Sequence, residues 1–227
     1  MTARSSAPAI ILLSGGMDSA TCLAMAGDAG FACHALSFRY GQRHLVELEA
    51  AARVVASLGA ASHRIVDIDL AQFGGSALTA DLEIPKGRSE AEIGADVPIT
   101  YVPARNTIFL AFALAHAEVL GARDIYIGVT AVDSSGYPDC RPEFITAFQR
   151  SARLGTRLSD LTIHAPLAHL SKAEIIAQGR ALGVDYGLTR TCYDPDTHGR
   201  ACGRCDACTL RLAGFAALGV TDSAPYV

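Results

Sequence analysis

Ala9-Ile10-Ile11-Leu12-Leu13-Ser14-Gly15-Gly16-Met17-Asp18-Ser19 is the stretch that decides the fold. Five apolar residues without helical spacing read as a buried strand of a parallel sheet. They run straight into a glycine turn, and a helical pattern begins at once with Ala20-Thr21-Cys22-Leu23. Two glycines let backbone N–H groups approach an anion, the start of the helix adds partial positive charge, and Ser14 and Ser19 supply hydroxyls. This is a phosphate cradle. It is neither Gly-x-x-x-x-Gly-Lys-Ser/Thr nor Gly-x-Gly-x-x-Gly, so it lacks the lysine that serves γ-phosphoryl transfer and does not point to a dinucleotide.

Working outward, further strands are expected at Phe31–Phe38, His63–Ile68, Asp124–Val129 and Leu161–His164. Helices are expected at Ser19–Ala26, His44–Leu58, Asn106–Leu120, Arg141–Leu154 and Lys172–Leu182. Strand and helix alternate, which predicts an α/β protein with a doubly wound, mainly parallel five-stranded sheet. Ile108–Leu114 is apolar almost all round, so its helix should be covered by the sheet on one side and by other protein on the other, and a homodimer is the expected cover. Residues 69–101 carry Gly74-Gly75, Pro85-Lys86-Gly87 and Pro98 without periodicity. That gap exceeds the ~12–15 residues of an ordinary structureless loop, so a lid or disorder is expected.

Ligands of open α/β sheets lie beyond the carboxyl ends of the strands. Two polar clusters, Tyr40–His44 and Ser134–Arg141, fall there. Arg105 is held at the N-terminus of the helix expected from Asn106, after Val102-Pro103-Ala104, and Lys172 opens another inside the capping box Ser171-Lys172-Ala173-Glu174. A cation in a first helical turn opposes the helix dipole unless an anion is near, so both are candidates for phosphate or carboxylate binding.

Seven cysteines are present, and four of them, Cys192, Cys202, Cys205 and Cys208, follow a C-x9-C-x2-C-x2-C spacing. Four thiolates suit a closed tetrahedral zinc site of structural type. An iron–sulfur cluster, or three cysteines completed by His198, remain alternatives. Cys22 and Cys33 fall in apolar patterns and read as core residues, while Cys140 is left open as a nucleophile. With 19 Lys plus Arg against 23 Asp plus Glu, the net charge is −4, without the basic stripe of a nucleic-acid binder. No apolar run reaches the ~20 residues that span a bilayer, and the first one is cut too early for a secretory signal, so a cytoplasmic location is expected.

Ser14–Ser19 resembles the Ser-Gly-Gly-x-Asp-Ser signature of the PP-loop ATP pyrophosphatases, whose fold is of the adenine nucleotide alpha hydrolase type. Together with Tyr40–His44, Val102–Asn106, Ser135–Arg141, the block from Pro166 to Glu174 and Cys192–Cys208, the chain is similar to one family. That family is QueC, the 7-cyano-7-deazaguanine synthases of queuosine biosynthesis. The resemblance implies that 7-carboxy-7-deazaguanine and ammonia are converted to the nitrile with ATP and Mg²⁺, releasing AMP and pyrophosphate. It implies ATP binding by Ser14, Gly15, Gly16, Met17, Asp18 and Ser19. On that reading we assign catalytic roles to Asp18, Arg105 and Lys172, substrate contacts to Asp133, Tyr137, Asp139 and Arg141, and one structural zinc to the four cysteines. Residues 1–190 would form the ATP-binding part and residues 191–227 the zinc-binding and helical part of one compact unit. Two rival readings are a PP-loop ligase that stops at the amide or acylates another amine, and a PP-loop tRNA-modifying enzyme. A zinc-binding interaction module without activity is a third.

Overall fold

A computed structural model describes residues 6–89, 92–93 and 96–227, with the side chains of Val132, Ser134 and Ser135 outside the description. Five strands, β1 (Pro8–Leu12), β2 (Ala32–Arg39), β3 (Ser62–Asp67), β4 (Asp124–Tyr126) and β5 (Thr162–His164), form one sheet in the order β3-β2-β1-β4-β5. Every pairing is parallel. Among the described residues seven α-helices surround it: α1 (Met17–Asp28), α2 (Val46–Leu58), α3 (Arg105–Leu120), α4 (Ala131–Gly136), α5 (Pro142–Gly155), α6 (Lys172–Ala181) and α7 (Asp206–Ala217).

The alternation of β1 divides the core. Ile10 and Leu12 face a layer with Leu110 of α3 and Ile145 of α5, whereas Ala9, Ile11 and Leu13 face Leu23 of α1, Val54 of α2, Ile176 of α6 and Phe215 of α7. Helices therefore cover both faces, which is what the near-continuous apolar strands require. The chain winds from β1 out to β3, then returns beyond β1 to β4 and β5, so the strand order reverses between β1 and β4. That switch point is where such sheets open a crevice.

Two expectations are corrected. β3 is an edge strand with most of its residues exposed rather than buried, as its polar Ser62, Arg64 and Asp67 allow. β4 stops at Tyr126 instead of Val129. Ile127 still donates to the His164 carbonyl at 2.9 Å, and Gly128 beyond it lies so close to α1 that a Cβ there would stand 3.1 Å from the backbone of Asp18 and Ser19.

The described part of the 69–101 segment runs over the cysteine-bearing end of the chain. Gly87 N–H donates to the Arg204 carbonyl at 2.8 Å, Lys86 bridges Cys205, and Arg88 pairs with Asp206 in the first turn of α7.

Candidate active site

Most charged side chains of the site come from the first turn of a helix: Asp18 from α1, Glu47 from α2, Arg105 from α3, Asp133 from α4 and Lys172 from α6. Gly16 caps α1 in extended geometry, and Ser14 and Ser19 meet across the turn with their hydroxyl oxygens 3.1 Å apart. The turn needs its first glycine. Gly15 has φ +88°, and a Cβ on it would lie 2.2 Å from the Glu47 carbonyl oxygen, so no other residue fits between the loop and the first turn of α2.

Above this turn is a cavity of about 220 Å³. Of the residues singled out in the sequence, Ser14, Gly16, Met17, Asp18, Ser19, Arg105, Asp133, Tyr137 and Lys172 line it. Gly15 shapes it from behind. Asp139 and Arg141 do not line it: the buried Asp139 carboxylate accepts from the Asn106 amide at 2.8 Å, and Arg141 is exposed at the start of α5. The Asp139 contact caps α3, whose own preceding residue, Ala104, has no side-chain oxygen.

The charges are arranged in two groups. Lys172, at the start of α6, donates to both Asp18 oxygens at 2.9 and 2.8 Å. Burial pushes the Asp18 carboxyl up, with Asp133 adding to the shift and Lys172 opposing it. Arg105 has no carboxylate in ion-pair contact among the described residues; its guanidinium lies 5.8 Å from the Tyr40 ring centre and donates to the Tyr40 hydroxyl at 3.5 Å. A cation at a helix N-terminus that faces a cavity with no carboxylate in ion-pair contact is a site for an anion.

Asp133 closes the capping box of α4, its Oδ2 accepting from the Thr130 amide at 3.0 Å and the Thr130 hydroxyl at 2.8 Å. Cys140 also lines the cavity, with Asn106 Nδ2 donating to its sulfur at 3.1 Å. Burial pushes its thiol well above the ordinary range, the opposite of what a nucleophilic cysteine needs. Two further lining residues, Glu47 and Arg190, carried no sequence signal of their own. Arg190 is anchored beside the glycine turn, its amide donating to the Gly15 carbonyl at 2.9 Å.

The four cysteines converge. The sulfurs of Cys192, Cys202, Cys205 and Cys208 all lie within 4.8 Å of one another, and a tetrahedron of ~2.3 Å metal–sulfur bonds has edges of about 3.8 Å. Backbone amides of Asp194 and Cys202 donate to the Cys192 sulfur at 3.3 and 3.2 Å, and that of Cys205 to the Cys202 sulfur at 3.3 Å. Such donors favour thiolates, so the group fits a metal ion. Arg211 of α7 ties this region to the cavity wall: its guanidinium is buried, pairs with Asp222 at 2.7 Å, and donates to the Thr189 hydroxyl and, at 3.2 Å, to that of the lining residue Thr191.

The family described as "Queuosine biosynthesis protein QueC" matches residues 8–219. The chain belongs to the QueC family. Among relatives of that family, the 7-cyano-7-deazaguanine synthase of Kineococcus radiotolerans is 62% identical over 223 residues, covering 96% of this chain and 97% of the relative. The synthase of Thiobacillus denitrificans is 64% identical with coverage of 96% and 97%. Among solved structures, the NMN synthetase of Francisella tularensis superposes with a TM-score of 0.51 at 18% identity, covering 95% of this chain and 79% of that one. At that identity the likeness concerns the fold.

Proposed function

We propose that the protein is an ATP-dependent, AMP-forming ligase that converts 7-carboxy-7-deazaguanine and ammonia into 7-cyano-7-deazaguanine. The observation that carries this reading is the glycine turn opening into a cavity that also holds Arg105 and the Lys172–Asp18 pair, in a chain about 60% identical to named synthases over nearly its whole length.

A carboxylate is a poor electrophile, so its oxygen must first become a leaving group. Transfer of the adenylyl group does this. The turn Ser14–Ser19 holds the outer phosphates with backbone amides and hydroxyls, leaving the α-phosphorus open to the substrate oxygen. Arg105 and Lys172 stabilise charge that builds on the α-phosphate and the departing pyrophosphate. Ammonia displaces AMP to give the amide, and a second adenylation, on the amide oxygen, lets that oxygen leave and the nitrile form. One site serves both rounds. No covalent nucleophile is needed, because positioning and charge stabilisation supply the barrier reduction.

The acidic pair Asp18 and Asp133 faces the same space, and Mg²⁺ held there with the phosphates would neutralise their charge. Cys192, Cys202, Cys205 and Cys208 would hold one zinc ion, which supplies folding free energy rather than chemistry. The exposed apolar residues Phe112, Val119 and Leu120 on α3 support a homodimer.

The test is product mass: protein with 7-carboxy-7-deazaguanine, ATP, Mg²⁺ and ammonium should yield AMP, pyrophosphate and the nitrile. An amide that never loses water would place the chain with ligases that stop one step earlier. ADP and orthophosphate as the nucleotide products would refute the loop assignment.

A further inference from the structure

Among the described residues three carboxylates line the cavity, Asp18, Glu47 and Asp133. Two are engaged, Asp18 by Lys172 and Asp133 by the Thr130 capping box. Glu47 has no hydrogen-bond or ion-pair partner among the described residues. Arg105 faces it from α3 without closing into an ion pair, and Tyr40 faces it from the end of β2. We propose that Glu47 selects a guanine-type base, its two carboxylate oxygens accepting from the ring N1–H and the exocyclic 2-amino group of the substrate. The proposal rests on the function given above.

A 7-deazaguanine presents those two donors side by side, and a carboxylate is the side chain that offers two acceptors in matching geometry. Enclosed in a cavity with no such acceptor, each donor would lose its water without a replacement. The surroundings suit a flat bicycle, since Phe38 and Phe109, stacked with ring centres 3.9 Å apart, and Tyr40 line the same space. Glu47 is also held at a fixed distance from the phosphate cradle, because Gly15 packs directly on its backbone. Burial pushes the Glu47 carboxyl up to about 7, as expected of an acid whose donors are not yet in place; two donated hydrogen bonds would bring it down. Ammonium, the other donor of the reaction, is disfavoured there by the facing Arg105 cation, whereas the base carries no charge to repel.

The experiment compares 7-carboxy-7-deazaguanine with the analogue lacking the 2-amino group, on wild-type protein and on Glu47→Gln. Wild-type kcat/KM should fall about 10- to 150-fold for the analogue, the range for one lost hydrogen bond to a charged group. Glu47→Gln should show a loss of that order on the parent substrate and a smaller one on the analogue, which keeps only the N1–H contact, with KM for ATP and for ammonium unchanged. Equal wild-type kcat/KM for the two substrates overturns the proposal and needs no variant. So does a Glu47→Gln effect confined to the KM of ATP, which would put Glu47 on the nucleotide, or confined to that of ammonium. Wild-type protein that makes no nitrile from the parent substrate refutes the function itself, a result distinguishable from all of these.

Discussion

Asp18→Asn separates a functional charge from a structural one. The wild-type carboxylate takes two hydrogen bonds from Lys172, at 2.9 and 2.8 Å, with side-chain exposures of 21% for Asp18 and 13% for Lys172. Two stability effects of opposite sign follow from the substitution. Burial has already pushed the Asp18 carboxyl up and Asp133 repels it, so the ionised form is held at a cost that asparagine removes. Against this, Lys172 loses the partner that offsets its own burial. Each effect is of order 1–3 kcal/mol, and their difference should stay within about 1 kcal/mol, a shift in Tm of at most about 4 °C for a chain of this length. Activity has no such cancellation. Losing the carboxylate that would hold Mg²⁺ on the reacting phosphates should lower kcat by about 10²–10³. AMP release measured by chromatography, with calorimetry on the same samples, reads both quantities. AMP formation at the wild-type rate would refute the placement of the pyrophosphate, and a fall in Tm beyond about 10 °C would make Asp18 a structural residue.

Arg211→Ala should cost about 3–5 kcal/mol in urea unfolding, since it strands the buried Asp222 carboxylate. Burial raises the Asp222 carboxyl, but hydrogen bonds from Arg211 and Tyr226 outweigh it and hold the group below its ordinary value of 3.8. The stability it contributes is therefore fully present above that pH and lost as pH falls through the lower, folded value, so Asp222→Asn should show a flatter acid limb in its stability–pH curve. Metal analysis should find about one zinc per chain, and Cys205→Ser should lose the metal and melt at lower temperature; iron in place of zinc would overturn that assignment. Val119→Glu, on the outer face of α3 where Val119 is 83% exposed, should convert a dimer to monomer in light scattering.

What could be read beforehand was whatever depends on neighbours in sequence. The apolar run Ala9–Leu13 and its glycine turn predict their own conformation, because strand pattern, positive-φ glycine and helix start are local events, and the alternation of such units leaves few sheet topologies open. The cysteine spacing was legible for the same reason, Gly199 and Gly203 supplying positive φ where the chain folds back on itself. What stayed hidden depends on partners far along the chain. Arg105 and Lys172 each stood out as a cation in the wrong place on a helix, yet the sequence held no sign that one would meet Asp18, 154 residues away, while the other would face the cavity beside Tyr40. Asp139 looked like a ligand contact because it sits in a polar cluster; its carboxylate instead meets the Asn106 amide 33 residues back, a donor exposed only because α3 starts without a capping side chain. Glu47 was masked by an ordinary amphipathic helix, where an acid in the first turn is expected for the sake of the dipole. Its place in the cavity follows from Gly15, which draws α2 against the phosphate turn. Residues such as Glu47 become visible as candidates only when a fold shows which acids are already satisfied, and in this one Asp18 and Asp133 are.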